Sequence, residues 1–512
     1  MRRIHLDLTG RLPSSAEVRS FLADSTLEKR EHLVDRLLDS PRYARRMEAA
    51  FDVVLMQRRP QKHIPLADWR EYLRRSFDEN KPYDQLAREI LSADGVDPKL
   101  RPAARFYLDR EGEANLLTRD VGRLFLGRDM QCAQCHDHPL IDAYKQEHYY
   151  GLFAFVSRGF VYNDPKQKQV FFAEKGEGDV AFVSVFDKNK TNRNTGPRLM
   201  EAPPIAEPKF DKGQEYVVPP SKDVRPIPKF SRRSQLAANA TSGISPDFNR
   251  NIANRLWALI MGRGLVEPVD FHHPDNPPSH PELLDLLAQE FVALKFDVRA
   301  FVRELVLTRT YQRSSSVPDG MSPEQAAPAK FAVAVLKPLS PEQLAWGLMD
   351  ALGVSAAPRA AELAKMQSDP RLMDIFRSDT KRARLQEEYL ERAVSTALQG
   401  NVSQFVSLYG GSPGDGDIGF QPTVQQALFV ANGSALRTWL VGGGTLVARV
   451  GAVPELPNLV DELYLSVLTR LPSEQERIDA VEYLIRGGDQ RALLVQELAW
   501  GLLASAEFRF NH

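Results

Sequence analysis

Apolar residues recur at helical spacing along most of the chain. Val18, Phe21 and Leu22 follow a Ser14–Glu17 pair, and Leu33, Val34, Leu37 and Leu38 follow a Ser25–Glu28 pair. Both pairs have capping-box spacing, in which a serine and a glutamate three residues on satisfy the free N–H groups of a helix start. Ser40-Pro41 reads as an N-cap with proline at the first helical position, and a helix through Met47, Phe51, Val54 and Leu55 is expected beyond it. Further helices are expected around 69–77, 83–91 and 116–126. From about Gly159 the pattern changes. Residues 170–174 and 179–186 are rich in β-formers, and Asp187-Lys-Asn-Lys-Thr191 is a turn. Prolines from Pro203 to Pro228 mark an extended linker. Helical spacing returns near Ser231. Ser279 and Glu282 have capping-box spacing before Leu283, Leu286, Leu287 and Phe291; 297–308 continues the pattern, 410–419 reads as a Gly/Asp-rich loop, and 456–508 is a final helical block. The expected fold is mainly α: two helical domains, 1–158 and 231–512, with a small β insertion and proline-rich linker at 159–230 between them.

The two chain ends echo each other. Arg11-Leu-Pro-Ser-Ser-Ala-Glu17 is matched by Arg470-Leu-Pro-Ser-Glu-Gln-Glu476, and Leu37-Leu-Asp-Ser-Pro-Arg-Tyr43 by Leu502-Leu-Ala-Ser-Ala-Glu-Phe508. This order predicts two copies of one helical unit. The unit resembles a short helical repeat of secreted bacterial proteins.

Composition narrows the possibilities. The chain has 512 residues, too many for one core, and its 43% hydrophobic and 26% charged content is that of an ordinary globular protein. A net charge of −1 supplies no strong field for nucleic acid or an anionic membrane. Arg42, Arg45 and Arg46 read as a solvated helix face. No apolar run is long enough for a transmembrane segment, and no apolar leader core follows Met1.

The two cysteines are the sharpest feature. They form Cys132-Ala-Gln-Cys135-His136, a coincidence of roughly one in ten thousand for two cysteines placed at random. This is the attachment signature of haem c: the two thiols form thioethers, and the following histidine is the proximal iron ligand. His148 is the first candidate for a distal ligand, ahead of His138, Met130, Met56 and His63. The same residues support a zinc alternative, with Cys132 and Cys135 joined by two of His136, His138 and His148. A thiol redox pair and two buried structural thiols are further readings. Asp137 or Asp142 could orient a ligand histidine. A second cluster, His272, His273, Asp275 and His280, lies on a proline-stiffened loop and is a candidate metal or catalytic site.

Several stretches carry a family resemblance: Arg3-Ile-His-Leu-Asp-Leu-Thr-Gly-Arg-Leu-Pro13, Cys132-Ala-Gln-Cys-His-Asp-His-Pro139, Tyr149-Tyr-Gly-Leu-Phe-Ala-Phe155, Asn254-Arg-Leu-Trp257, Gly262-Arg-Gly-Leu-Val266, Pro278-Ser-His-Pro-Glu-Leu-Leu284, Thr310-Tyr-Gln312 and Gln425-Gln-Ala-Leu-Phe429. In this order they resemble the planctomycete-type paired domains of unknown function, a cytochrome-c-associated N-terminal domain with its C-terminal companion. The resemblance implies an exported, extracytoplasmic protein, with a leader expected upstream of Met1 in a longer chain. Three functions are expected in turn. The first is a redox or electron-transfer protein bearing haem c, with an unknown redox or cell-surface protein partner. The second is a non-catalytic cell-surface or assembly protein with a structural metal. The third is an enzyme whose site is the histidine loop.

Overall fold

The serine–glutamate pairs set where several helices begin. In the computed structural model, which describes residues 1–375, 381–414, 423–442 and 445–512, Ser14 and Glu17 close a full capping box ahead of helix Ser15–Ala23. Ser25 and Glu28 do not. Asp24 accepts from the backbone N–H and hydroxyl of Thr26 (2.9 and 2.8 Å), and this local turn delays the next helix to Lys29–Leu38. Ser279 and Glu282 form no box either, because Pro281 occupies the first helical position and moves the cap to His280. The loop expected at 410–419 lies partly outside the described residues. Among the described residues the protein is mainly α, and its strands form two-stranded sheets only.

The chain divides into two compact units, neither of which is a continuous stretch. The first holds Met1–Ala50, Val306–Met321 and Ala332–His512; the second holds Phe51–Leu305 and Ser322–Phe331. The limits expected at 158/159 and 230/231 both fall inside the second unit.

In the first unit the terminal segments interlock. Asp7, buried in helix Arg2–Thr9, accepts from Tyr311 Oη (2.8 Å), Lys337 Nζ (2.5 Å) and Asn511 Nδ2 (2.8 Å). Arg2 donates to the carbonyls of Val467 (3.2 Å) and Phe508 (2.7 Å). Around these bonds Leu6, Leu12, Leu344, Phe405, Leu463 and Leu503 share one apolar core. The repeat is real in three dimensions. Each copy runs from a helix through a left-handed residue, Gly10 (φ 67°) or Thr469 (φ 63°), into Arg-Leu-Pro-Ser and a boxed helix, Ser15–Ala23 or Glu474–Arg486. The face assigned to solvent is a correction. Arg42 is only 28% exposed and pairs with Glu387 and Glu391, and the Nε atoms of Arg45 and Arg46 are buried.

In the second unit aromatic packing ties the β segment to the helices. Tyr107 stacks on Phe172 of strand Gln169–Glu174 (4.5 Å between centroids), and Phe106 meets Phe125 edge-on (5.5 Å). Glu174 accepts from the backbone N–H of Arg232 (2.7 Å) at the start of helix Arg232–Ala240. Helix Pro246–Met261 packs on helix Ala114–Leu126, where Asn251 Nδ2 donates to the Leu124 carbonyl (2.8 Å).

Candidate functional site

Helix Ala114–Leu126 delivers the chain to the cysteine motif. It ends at Gly127 in a left-handed conformation (φ 70°), and a Cβ there would lie 2.9 Å from His272 Cδ2, so only glycine fits. Cys132 then lies in the 3-10 turn Gln131–Gln134 and Cys135 directly follows it, both exposed and neither in a disulfide. His136 is held by its neighbour. Nδ1 bonds the Asp137 carbonyl (2.6 Å), which leaves Nε2 as the nitrogen available to a ligand. A backbone carbonyl therefore orients this ring. The Asp137 carboxylate accepts from Gln146 N (2.8 Å) at the start of helix Gln146–Val156, and Asp142 is exposed beside Lys145.

The flanks of the motif are apolar and open. The Phe186 ring lies 4.7 Å from the His136 ring yet is 74% exposed; Val185, 66% exposed, donates its N–H to the Cys135 carbonyl (3.0 Å); Leu140 is 85% exposed. Two segments thus leave large apolar side chains exposed around the motif, Leu140 just after it in the chain and Val185 and Phe186 packed against it.

The remaining ligand candidates point elsewhere. His138 Nδ1 accepts from the backbone N–H groups of Leu140 (3.2 Å) and Ile141 (3.0 Å). His148 is buried on the first turn of its helix; Nδ1 donates to the Ala143 carbonyl (3.0 Å), and burial lowers its pKa. Met56 is wholly buried against Arg110, and His63 bonds Glu111 (3.1 Å). Among the described residues, no group of three or more His, Cys, Asp or Glu side chains is gathered to hold a metal. The tetrad of Cys132, Cys135 and two of His136, His138 and His148 is thus not assembled as the side chains stand.

The two sequence clusters are neighbours. Tyr144, eight residues past His136, donates its hydroxyl to the His272 carbonyl (2.9 Å) and presents ring edges to His138 (6.0 Å) and His273 (5.6 Å). Asp129 N donates to the Asp270 carbonyl and His272 N to the Gly127 carbonyl (both 2.9 Å). His272 is half-buried, with Nε2 bonded to the Val269 carbonyl (3.1 Å); desolvation and the nearby Arg255 push it down to about 4. His273 has a side chain only 5% exposed, and neither ring nitrogen has a hydrogen-bond partner. His280 contacts Ser279 and Phe331 instead, so the three histidines do not converge. No sequence signal foretold the role of Tyr144, because its partner lies 128 residues away.

Residues 1–159 match the family described as a protein of unknown function (DUF1549), and residues 232–484 match the family described as a protein of unknown function (DUF1553). The chain thus contains the two domains as N-terminal and C-terminal companions. The DUF1549 segment contains the cysteine motif and the DUF1553 segment contains the histidine loop, so Tyr144 joins the two families' segments inside one compact unit. No curated protein and no solved structure matches the chain.

Proposed function

We propose that this DUF1549–DUF1553 protein carries haem c at Cys132, Cys135 and His136 and works in a redox or electron-transfer setting outside the cytoplasm. One observation carries the reading: two exposed thiols on a single turn, followed by an imidazole whose Nδ1 is held by a carbonyl so that Nε2 is free. A histidine that binds a metal through one ring nitrogen commonly has the other held by a carbonyl in this way. Cys132 and Cys135 would hold the group by thioethers and His136 through Nε2. When bound, the haem would supply one-electron chemistry at its iron. Val185, Phe186 and Leu140 would cover apolar porphyrin surface and thereby lower the water content around it. The extracytoplasmic setting goes with the chemistry, because haem is attached after export.

The test is a visible spectrum of the full chain, secreted from a host with active cytochrome c maturation. A Soret band and a reduced α band that survive denaturation are expected, and Cys132→Ser with Cys135→Ser should abolish them. A colourless protein with stoichiometric zinc would replace the reading with a structural metal, and a colourless, metal-free protein would sink both.

A further inference from the structure

Four guanidinium groups converge on one carboxylate in the second unit. Asp120, on helix Ala114–Leu126, is wholly buried. Arg110 Nε donates to its Oδ2 at 2.7 Å, and Arg59 Nη2 lies 3.4 Å from the same oxygen. Arg123 Nη2 and Arg119 Nε lie 3.3 and 3.6 Å from Oδ1. Asp270 is also in reach, 3.7 Å from Arg123 Nε, and it acts on the neighbouring Arg255 as well. The nearby Arg105 does not share these acids, since Asp109 and Asp52 answer it at 2.9 and 3.6 Å.

The cluster is graded from inside to outside. Arg110 is fully buried and its other donors are taken by the carbonyls of Phe106 (2.9 Å) and Leu55 (2.8 Å). The outer three are not satisfied in this way. Arg59, Arg119 and Arg123 have side chains 17, 28 and 12% exposed, and their Nε groups are buried without acceptors. Among the described residues the Arg119 guanidinium donates no hydrogen bond. Arg123 spends one on Gln57 Oε1 (2.6 Å) and a longer one on Asp120. Arg119 and Arg123 stand one helical turn apart, so both heads project from one helix face. The inner pair is thus neutral, and the surplus charge lies at the rim, where solvent reaches it. Like charges held this close repel unless an anion joins them.

We infer that Arg59, Arg119 and Arg123 form a binding site for a tetrahedral oxyanion, a phosphate or sulfate group. Guanidinium forks match such oxygens two at a time, and a doubly charged anion offsets positive charge that Asp120 and Asp270 leave over. This site is independent of the cysteine motif and of any haem.

The experiment is thermal unfolding of the full chain in phosphate against sodium chloride of equal ionic strength, with isothermal titration of inorganic phosphate alongside. Phosphate at a hundredfold excess over its Kd should raise Tm by about 5 °C beyond chloride. Titration should give one site per chain. Arg119→Gln, a partly exposed side chain without hydrogen bonds, should raise the half-effect concentration at least tenfold, and the Arg59→Gln/Arg119→Gln pair should erase the response. Sulfate should replace phosphate and acetate should not. Equal effects of phosphate and chloride, an unchanged response in the double variant, or acetate acting as well as phosphate would each overturn the site.

Discussion

Both units bury an arginine network, and the two are balanced differently. In the first, Arg11 pairs with Asp350 (2.5 Å) and Glu391 (3.4 Å), Arg42 with Glu391 (2.6 Å) and Glu387 (3.5 Å), and Arg359 with Glu387 (2.5 Å). Three guanidiniums meet three carboxylates. Burial pushes Glu391 up, but Arg11 and then Arg42 outweigh it and hold the carboxyl down at about 2. In the second, Arg59, Arg110, Arg119 and Arg123 crowd around Asp120. Burial and the neighbouring Arg59 and Arg123 lower Arg110 to about 10, although Asp120 acts to raise it. A balanced network spends its charge on holding helices together, whereas a surplus leaves charge over for something that is not part of the chain.

The largest expected effect tests the balanced side. Arg11→Gln leaves Asp350 and Glu391, 15 and 3% exposed, without their shared cation. Stranding buried charge in this way costs about 3–5 kcal/mol. Urea denaturation at pH 7 measures it; a loss below 1 kcal/mol would mean that Arg42 alone suffices and that the network is not balanced around Arg11.

Acid is the next lever, and it acts on both units. His5 in the first unit and His272 in the second are each pushed down to about 4, chiefly by burial. A histidine whose folded pKa lies below its unfolded 6.5 binds protons better when unfolded. Its contribution is complete above pH 6.5, falls as pH drops toward 4, and is lost below that. Each should therefore remove about 2 kcal/mol by pH 5 and about 3 kcal/mol in all. His5→Gln and His272→Gln should each flatten the stability curve between pH 6.5 and 4. After burial the causes differ in one respect: Glu17 favours the charged form of His5 against the N-terminus, Arg36 and Arg42, whereas for His272 the Val269 carbonyl does so against Arg255, Arg128 and Arg250. Curves as steep in the variants as in the parent would place the acid sensitivity elsewhere.

What could be read from sequence follows the range of the interaction. The box at Ser14–Glu17 was legible because both partners lie within one turn, and the repeat match at 470–476 carries the same box at Ser473–Glu476. Ser25–Glu28 and Ser279–Glu282 were misread because a local competitor, the Asp24–Thr26 turn in one case and Pro281 in the other, resets the helix start. Arg42, Arg45 and Arg46 looked solvated because periodicity gives a helix face but not what covers it. The cysteine motif is contiguous and needed no fold to be seen. Its seating on the histidine loop depends on Tyr144 and His272, and the oxyanion cluster depends on Arg59 and Arg110 reaching Asp120 across 61 and 10 residues. The Arg119-Asp120…Arg123 spacing was in plain view, but spacing alone does not reveal a charge surplus.

The two copies of the terminal repeat offer a smaller test inside the first unit. Ser14→Ala and Ser473→Ala each remove a hydroxyl that accepts from the backbone N–H three residues on, at 3.2 and 3.3 Å. Each should cost about 1 kcal/mol by urea denaturation. The copies differ in what the boxed glutamate does next. Glu476 also holds Arg470 (2.7 Å), which continues to Glu507 (2.6 Å), while Glu17 bonds only Ser14 among the pairs at its helix start. Ser473→Ala should therefore be the milder change, since the arginine keeps Glu476 in place.

The smallest effect is the most discriminating. In phosphate-free buffer, Arg119→Gln removes one of four cations from around Asp120, at a side chain that donates no hydrogen bond and is 28% exposed. If the cluster were a structural network like that around Arg11, losing a member would destabilise the unit. If it is a surplus, the loss removes repulsion among guanidiniums while Arg110 still neutralises Asp120. The expected change is within about 0.5 kcal/mol of zero, with a stabilising sign as the informative outcome. Urea titrations of parent and variant at low and high sodium chloride read it. Added salt screens repulsion between the rim arginines, so any advantage of the variant should shrink as salt rises. A loss above 1 kcal/mol that salt does not alter would make Arg119 a structural member of the network, and the contrast between the two units would fail.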